Sequence, residues 1–432
     1  MATYYLWNIG CQMNKAESER MSDYLEGLGY RPVSQPHGAD VVVLNTCVVR
    51  GNAEDRVLGE LSYLKGLKSR SPEMGIAVTG CFVGGPPEDM KGRFPQVDIF
   101  FPAGEFTPFR EWVAARVGDA CPGSIPDSAP KRPAPTAFVP IIRGCNNFCS
   151  YCIVPYRRGR ERSRSLDEIT NEAQGLVRRG VKEVTLLGQN VNSYGRDLPD
   201  KPDLADLLVR LNSVSGLERI RFLTSHPRDV DRKFIEAMAG LERVCESINL
   251  PVQAGDDRVL QAMRRGYTVE QYRGLVAELR SCVPGIAVST DVIVGFPGET
   301  EEEFGHTVDL LSDLKFDTVH VAAYSPRPGT LAYSTMFDDV PAAEKGRRLR
   351  AVEEMQERIA AEKNQTLLGR CVEVLVEREN KAKWEGRTRG NRLVFFTDVA
   401  DWKGQLCNIE ISAASAWSLQ GRLVSRIEVG VR

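Results

Sequence analysis

No run of about 18 apolar residues, the length needed to cross a bilayer as a helix, occurs anywhere in the chain. The opening stretch MATYYLWNIGCQMN lacks a basic region followed by a long apolar core, so no secretory signal is expected and the protein is expected in the cytoplasm. Excess charge of one sign is missing too. Lysine and arginine total 56 against 58 acidic residues, which gives no global sign of a polyanionic partner. No disulfide framework is expected, because eleven cysteines in a reducing compartment argue for metal ligation or catalysis. The ordinary apolar and charged content of 432 residues excludes overall disorder and implies two or three domains with real cores.

A fourth ligand is absent where it would be most expected. Cys145, Cys149 and Cys152 lie in IIRGCNNFCSYCIVPYRRGRER, three thiolates where a closed tetrahedral metal site needs four. A [4Fe-4S] cluster held by three cysteines leaves one iron open to a substrate or cofactor. With the aromatic Tyr151 before the last cysteine, the spacing resembles that of the radical S-adenosylmethionine (SAM) enzymes. In that family SAM chelates the open iron, and one electron splits it to a 5'-deoxyadenosyl radical. A partial zinc knuckle or three buried thiols is the alternative.

The first 118 residues alternate apolar runs with amphipathic stretches: YYLWNI, a helical Lys15 to Leu28, VVVLN, Ala53 to Lys68, then IAVT. Each apolar run ends at a cysteine, Cys11, Cys47 or Cys81, so a parallel sheet would deliver three thiols to its carboxyl edge, where ligand sites form. A single strand-end cysteine would more often be an inert buried thiol; three favour a second cluster. The arrangement resembles the N-terminal domain of the methylthiotransferases, radical SAM enzymes with an auxiliary [4Fe-4S] cluster, and these three cysteines match its ligands. A Pro- and Ser-rich stretch, Pro122 to Pro140, reads as a linker, with Cys121 a spare thiol before it.

From about Thr136 to Ile359 six apolar runs end in polar or Gly/Pro-rich loops, with helical stretches between them, as in an open parallel barrel with its site at the strands' carboxyl ends. Tyr151 and the strand-end residues Gly188, Gln189, Ser225, Gln253, Asp291, Phe296 and Tyr324 are candidates for holding SAM, although plain turn chemistry explains any one of them. His226 is expected to cap a strand, and no side chain is assigned as acid or base. The segment Leu250 to Gly266 resembles one shared by methylthiotransferases. Dipole placement near a helix end explains its Arg264 and Arg265 equally well.

After a charged helix from Ala342 to Leu368 come short alternating runs, CVEVLVE, RLVFFTDV, QLCNIEISAAS and RLVSRIEV, the pattern of a small antiparallel barrel. Its loop WEGRTRGNRLVFF sets Arg387, Arg389, Asn391 and Arg392 beside Trp384, Phe395 and Phe396, mixing charge for phosphate with rings for bases. It resembles the TRAM domain, an RNA-binding barrel. Six arginines against Glu161 alone between Ile141 and Ser165, among them Arg157, Arg158 and Arg160, could also face phosphate or coat a surface. Cys245, Cys282, Cys371 and Cys407 read as small core residues.

The expected fold is therefore α/β, in three parts. A parallel αβα sheet domain (1–118) and a linker (119–131) precede a partial (β/α)6-type radical SAM barrel (132–363) and a small TRAM-like antiparallel β-barrel (364–432). The details resemble the methylthiotransferase branch that modifies isopentenyl-type adenosine at position 37 of tRNA. Threonylcarbamoyl-adenosine, a ribosomal-protein aspartate, and a non-enzymatic iron-sulfur RNA-binding redox role are the alternatives. The resemblance implies two SAM molecules, one supplying methyl to sulfur at the auxiliary cluster and one the radical that takes hydrogen from C2. Implied partners are the tRNA anticodon stem-loop, an electron donor such as flavodoxin or ferredoxin, and an iron-sulfur or sulfur donor protein. No membrane partner is expected, and the oligomeric state stays open, a monomer being one reading.

Overall fold

A computed structural model describes residues 1–48, 51–84, 87–117 and 134–427. The linker expected at 119–131, together with Cys121, lies outside the described residues. The chain divides into two units: Met1–Arg132 with Arg143–Asn146 and Cys152–Glu161, and the remainder.

The first unit is built on five parallel strands, β1 (Thr3–Asn8), β2 (Arg31–Pro32), β3 (Val41–Thr46), β4 (Gly75–Gly80) and β5 (Ile99–Phe100), in the order β2-β1-β3-β4-β5. Every residue of β3 and β4 is buried, because helices cover both faces and leave no polar side. Alternation along the strands separates two cores. Val42, Leu44, Ile76 and Val78 pack with Val57, Leu61 and Leu64 of α2 (Gly51–Arg70). Val41, Val43 and Ala77 pack with Met21 and Leu25 of α1 (Gln12–Gly27) and with Phe109. The two-residue strands β2 and β5 carry no apolar run long enough to signal them in sequence.

In the second unit six parallel strands, β6 (Thr136–Pro140), β7 (Glu183–Leu187), β8 (Arg219–Phe222), β9 (Ser247–Asn249), β10 (Ala287–Val294) and β11 (Thr318–Ala323), follow one another in chain order. Hydrogen bonds from Ile220 N–H to Arg243 O (2.7 Å) and from Ser225 N–H to Asn249 O (3.0 Å) join the two three-stranded halves. One apolar cluster runs through it, from Val139 and Val184 to Val288 and the long Ala342–Gln365 helix through Val352 and Ile359. Along β10 the even residues are buried while Ser289, Asp291 and Ile293 alternate with them, as expected of a strand with one packed face.

The same unit ends in a closed five-stranded barrel of β12 (Cys371–Asn380), β13 (Lys383–Thr388), β14 (Leu393–Phe396), β15 (Leu406–Ala414) and β16 (Leu419–Arg426), in the order β12-β13-β14-β16-β15. The α/β class and all three architectures are as the sequence implies. One element differs: Lys383–Thr388, read as loop, is a strand. Its Glu385 is buried by pairing with Arg378 (2.7 Å) and its Gly386 leaves no side chain to show the alternation. Closure also needs one parallel pairing, Val394 with Leu419, within the otherwise antiparallel barrel. Among the described residues no helix is long and apolar enough to cross a membrane.

Candidate cluster and cofactor sites

Because β1, β3 and β4 are parallel, their carboxyl ends share one edge, and Cys11, Cys47 and Cys81 follow them there. The strand order reverses between β1 and β3, the crevice at which open α/β sheets take ligands. Cys47 and Cys81 are buried and Cys11 is exposed. Cys81 N–H donates to Thr46 O at 2.9 Å, locking the end of β4 to the end of β3. Gly80 permits this with a φ of +96°; a Cβ there would collide with the Thr46 carbonyl oxygen. Asn14, fully buried on α1, ties the edge together. Its Nδ2 donates to Thr46 O (2.8 Å) and Asn45 Oδ1 (3.1 Å), and its Oδ1 lies 3.5 Å from Cys11 Sγ.

Arg158 ends α3 (Val154–Arg158) in this same unit, and its side chain is only 3% exposed. Nε donates to Cys81 Sγ at 3.3 Å, Nη2 to Asn14 Oδ1 at 2.8 Å and Nη1 to Glu17 at 2.7 Å. Burial pushes the Cys81 thiol up to about 11, although Arg158 pulls the other way. Burial opposes the Arg158 charge, but Glu17 and then Cys81 outweigh it and hold the guanidinium above its ordinary value. The expected RNA contact of Arg158 is thereby corrected, since its donors are committed inside the protein. Arg157 packs on Gly84, where a Cβ would meet its guanidinium, whereas Arg160 is exposed.

The Cys145 end of the loop is fixed by backbone. Cys145 N–H donates to Gly159 O (3.2 Å), and Asn146 donates to both carboxylate oxygens of Glu161 (3.1 and 3.0 Å). Gly144 takes φ +76°, and a Cβ there would strike the Arg160 carbonyl. In the second unit, Ser150 donates to Met263 O (3.1 Å) through its backbone and to Ala262 O (2.7 Å) through its hydroxyl. Arg265, 4% exposed, donates to Cys149 Sγ at 3.3 Å, Tyr151 OH at 3.4 Å and Pro251 O at 2.9 Å. Dipole placement therefore does not account for Arg265. Sequence reasoning missed it because a buried cation is invisible in composition. Asn14 and Glu17 were missed as well, although CQMNKAE spaces Cys11, Asn14 and Glu17 along one helix face.

The expected SAM residues occupy two settings. Tyr151 packs against a cluster that contains Phe296 and Tyr324, whose rings meet edge-on at 5.3 Å. Asp291 accepts from Asn249 at 2.9 Å on the half-open strand face. At the ends of β7 and β8, Gln189 Oε1, Ser225 Oγ and His226 Nε2 are buried with no hydrogen-bond partner among the described residues. Such orphaned atoms are rare enough to indicate a missing ligand, and they fit a polar cofactor. Non-glycine residues with positive φ, Phe148 (48°), Thr224 (69°), Gln253 (75°) and Arg264 (58°), occur in these same loops, strain of the kind held at functional sites. At Gly188 a Cβ would strike the Ile142 side chain, so glycine is required there for packing.

The TRAM-like hairpin is spent on the barrel. Arg389 donates to Glu246 (2.7 and 2.8 Å) and to Val244 O (2.7 Å), and Arg392 pairs with Asp317 (2.5 Å). Backbone oxygens of Arg387, Thr388 and Arg389 accept from the buried Arg219 and Arg221 of β8. The expected RNA contact of Arg389 is thus corrected, and Trp384 and Phe396 are core residues rather than stacking platforms. Arg387 remains 38% exposed beside Asn391, which is exposed. Cys245 and Cys407 are buried as expected and Cys282 is half-buried; Cys371 is exposed, because it opens β12 at the barrel rim.

Both cysteine sets fit iron-sulfur clusters. A buried guanidinium on Cys81 and another on Cys149 suit metal-bound thiolates, which accept hydrogen bonds from outside the ligand set. Among the described residues no three His, Cys, Asp or Glu side chains gather as one metal ion would require; a cubane, with its irons at separate corners, spreads its thiolates further.

Three family models match the chain: Radical SAM superfamily over residues 139–311, Uncharacterized protein family UPF0004 over 3–102, and TRAM domain over 365–424. A tRNA-2-methylthio-N(6)-dimethylallyladenosine synthase from Dehalococcoides mccartyi is 51% identical over 430 residues, covering 99% of this chain and 100% of that protein. Proteins of the same name from Roseiflexus sp. (48% identical; 99% of this chain, 91% of that protein) and Moorella thermoacetica (46%; 98% and 98%) are similar over their length. Among solved structures, the radical SAM methyltransferase TsrM from Kitasatospora setae is similar in fold at 16% identity, with a TM-score of 0.50 over 74% of this chain and 72% of that one. Full-length identity and the two cysteine sets agree, and the chain belongs to the tRNA-2-methylthio-N(6)-dimethylallyladenosine synthase family of radical SAM methylthiotransferases, enzymes whose cofactors are SAM and [4Fe-4S] clusters.

Proposed function

We propose that the chain methylthiolates C2 of N6-isopentenyl-adenosine at position 37 of tRNA. The observation that carries this reading is the presence of two three-cysteine sets, one in the radical SAM loop and one at a parallel sheet edge, in a chain alike over its whole length to proteins named for that product. Cys145, Cys149 and Cys152 would hold the SAM-binding cluster, and Cys11, Cys47 and Cys81 the auxiliary one. When bound, these groups supply the radical, the methyl group and the sulfur.

The protein's own side chains then have positional work. Gln189 Oε1 and Ser225 Oγ offer SAM unpartnered polar atoms, while Tyr151, Phe296 and Tyr324 supply an apolar wall. Gln253 follows the end of β9, whereas Asp291, expected at a strand end, lies within β10 on its half-open face. No side-chain acid or base is demanded. The target base must leave its stack to be reached, so the tRNA partner is its anticodon stem-loop, approached by Arg157, Arg160, Arg387 and Asn391 among the expected contacts. A flavodoxin- or ferredoxin-type electron donor and a sulfur or iron-sulfur donor protein complete the cycle, in the cytoplasm. The three-part division at 118, 132 and 364 belongs to the same reading.

Nucleoside mass spectrometry tests it, on isopentenyl-adenosine tRNA reacted anaerobically with reconstituted protein, SAM, a sulfur source and dithionite. A 2-methylthio product is expected. Cys47→Ala should abolish that product and leave 5'-deoxyadenosine formation intact. Unchanged tRNA with 5'-deoxyadenosine still formed would transfer the search to threonylcarbamoyl-adenosine or the ribosomal-protein aspartate. Failure to form 5'-deoxyadenosine at all would favour the redox protein.

A further inference from the structure

Two arginines in this chain are buried against cluster-ligand sulfurs, and they come from unrelated segments. Arg158 reaches Cys81 at 3.3 Å and Arg265 reaches Cys149 at 3.3 Å. At Arg158 the partition of donors is informative. Arginine–carboxylate pairs are frequently bidentate, two parallel N–H groups on one carboxylate. Here Glu17 takes Nη1 at 2.7 Å and Nη2 only at 3.5 Å, Asn14 takes Nη2 at 2.8 Å, and Nε is left pointing at sulfur. Cys81 is 2% exposed, so water cannot solvate a thiolate there and the donor must be protein. Asn14 Oδ1 accepts from Arg158 Nη2 and so fixes the guanidinium with Nε aimed at Cys81.

We propose that Arg158 is the positioning residue of the auxiliary cluster, donating Nε–H to the Cys81 sulfur as a cluster thiolate and raising the reduction potential of that cluster, as Arg265 does through Cys149 at the SAM-binding cluster. Hydrogen bonds to ligand sulfurs and nearby positive charge both favour the more negative, reduced cluster. Arg158 also ties two chemistries together. It is carried by the Cys152–Glu161 segment, which holds a ligand of the SAM-binding set at its start and packs Ile153 into the same apolar cluster as Cys81 and Phe82. The segment that begins with Cys152 thus also supplies the donor to Cys81. The inference rests on the proposed ligand role of Cys11, Cys47 and Cys81.

The test uses the full chain with Cys145, Cys149 and Cys152 replaced by alanine, so that the auxiliary cluster is the one observed. In that background Arg158→Lys keeps the charge but removes Nε–H. The double variant Arg158→Met/Glu17→Met removes both members of the ion pair, so that no buried charge is left alone. The midpoint potential of the reconstituted cluster, followed by electron paramagnetic resonance, is expected to shift to more negative values in both, and further in the double variant. Potentials equal to the parent's in both variants would overturn the inference while leaving the auxiliary cluster established. A parent background that binds no iron, beside an unsubstituted protein holding only one cluster's worth, would overturn the ligand assignment and the inference with it. Loss of iron from the double variant, in a chain whose circular dichroism matches the parent's, with an unshifted potential in Arg158→Lys, would overturn the tuning role and leave the ion pair holding the cluster only.

Discussion

His226 shows how a buried polar residue can be held neutral by its neighbours. Its Nδ1 accepts from Arg228 N–H at 3.3 Å, which caps the short turn Pro227–Asp229 and leaves the ring proton on Nε2. Asp229 lies 3.9 Å from Nδ1, yet its oxygens are engaged by Asn190 (2.7 Å) and Arg196 (3.0 Å). Burial, and then Arg265, Arg228 and Arg196, push the imidazole down to about 2. The unfolded chain would take up that proton near 6.5. Between those values the unfolded state binds more protons, so this contribution to stability is fully present above about pH 6.5 and is lost as pH falls. From pH 6 to pH 5 the native protein should lose about 1 kcal/mol more than His226→Gln, from a maximum slope of about 1.4 kcal/mol per pH unit. Urea unfolding of the two proteins at both pH values measures it. Parallel losses would mean that the ring can be protonated in place.

At the scale of elements, the sheet edge depends on strands ending where their cysteines begin. Gly80 and Gly144 each precede a cysteine with positive φ and with a carbonyl where a Cβ would be. Gly80→Ala must move β4 away from Thr46 and carry Cys81 with it. The expected result is a loss of about 2–4 kcal/mol, the strained backbone and the displaced strand end together. Iron from the auxiliary set should fall while SAM cleavage persists; thermal unfolding and iron analysis check the two parts. Native stability and full iron in Gly80→Ala would show that the edge can relax. This edge was legible in the sequence because VVVLN and IAVT are continuous apolar runs that each stop at a cysteine, and six similar runs mark the open barrel. The small barrel was legible less completely: in Lys383–Thr388 the buried Glu385 and the bare Gly386 break the alternation. The arginines were the least legible. Nothing local distinguishes Arg158 and Arg389, which turn inward to Glu17 and Glu246, from the exposed Arg160, because the carboxylates that receive them lie more than 140 positions away in the chain.

At the scale of the molecule, the second unit has its cofactor loops at one edge of the open barrel and the small barrel at the other. Arg219 and Arg221 stand on β8 toward the strand's beginning, and Ser247, Ala287 and Thr318 begin neighbouring strands. A cavity of about 290 Å³ is lined by these last three together with Arg387, Gly390, Asn391 and Trp417. The β13–β14 hairpin thus closes the amino-terminal mouth of the barrel, and its carbonyls satisfy cations that the barrel could not otherwise bury. Arg219 is 1% exposed and pairs with Glu373 of β12 at 2.6 Å; Arg221 pairs with Glu183 at 2.9 Å and gives its remaining donors to the hairpin. A buried charge deprived of its partner costs about 3–5 kcal/mol, so the small barrel is a structural cover for the open one. A chain ending at Gln365 should therefore melt well below the full chain. Replacing Arg219 and Arg221 by Met in that truncated chain, with Glu183→Gln so that no carboxylate is left buried alone, should recover part of the loss, because the cations that needed the hairpin are gone. Differential scanning calorimetry of the three proteins decides the matter: a truncated chain that melts with the full one, or a triple variant that melts lower still, would mean that the arginines do not depend on the hairpin.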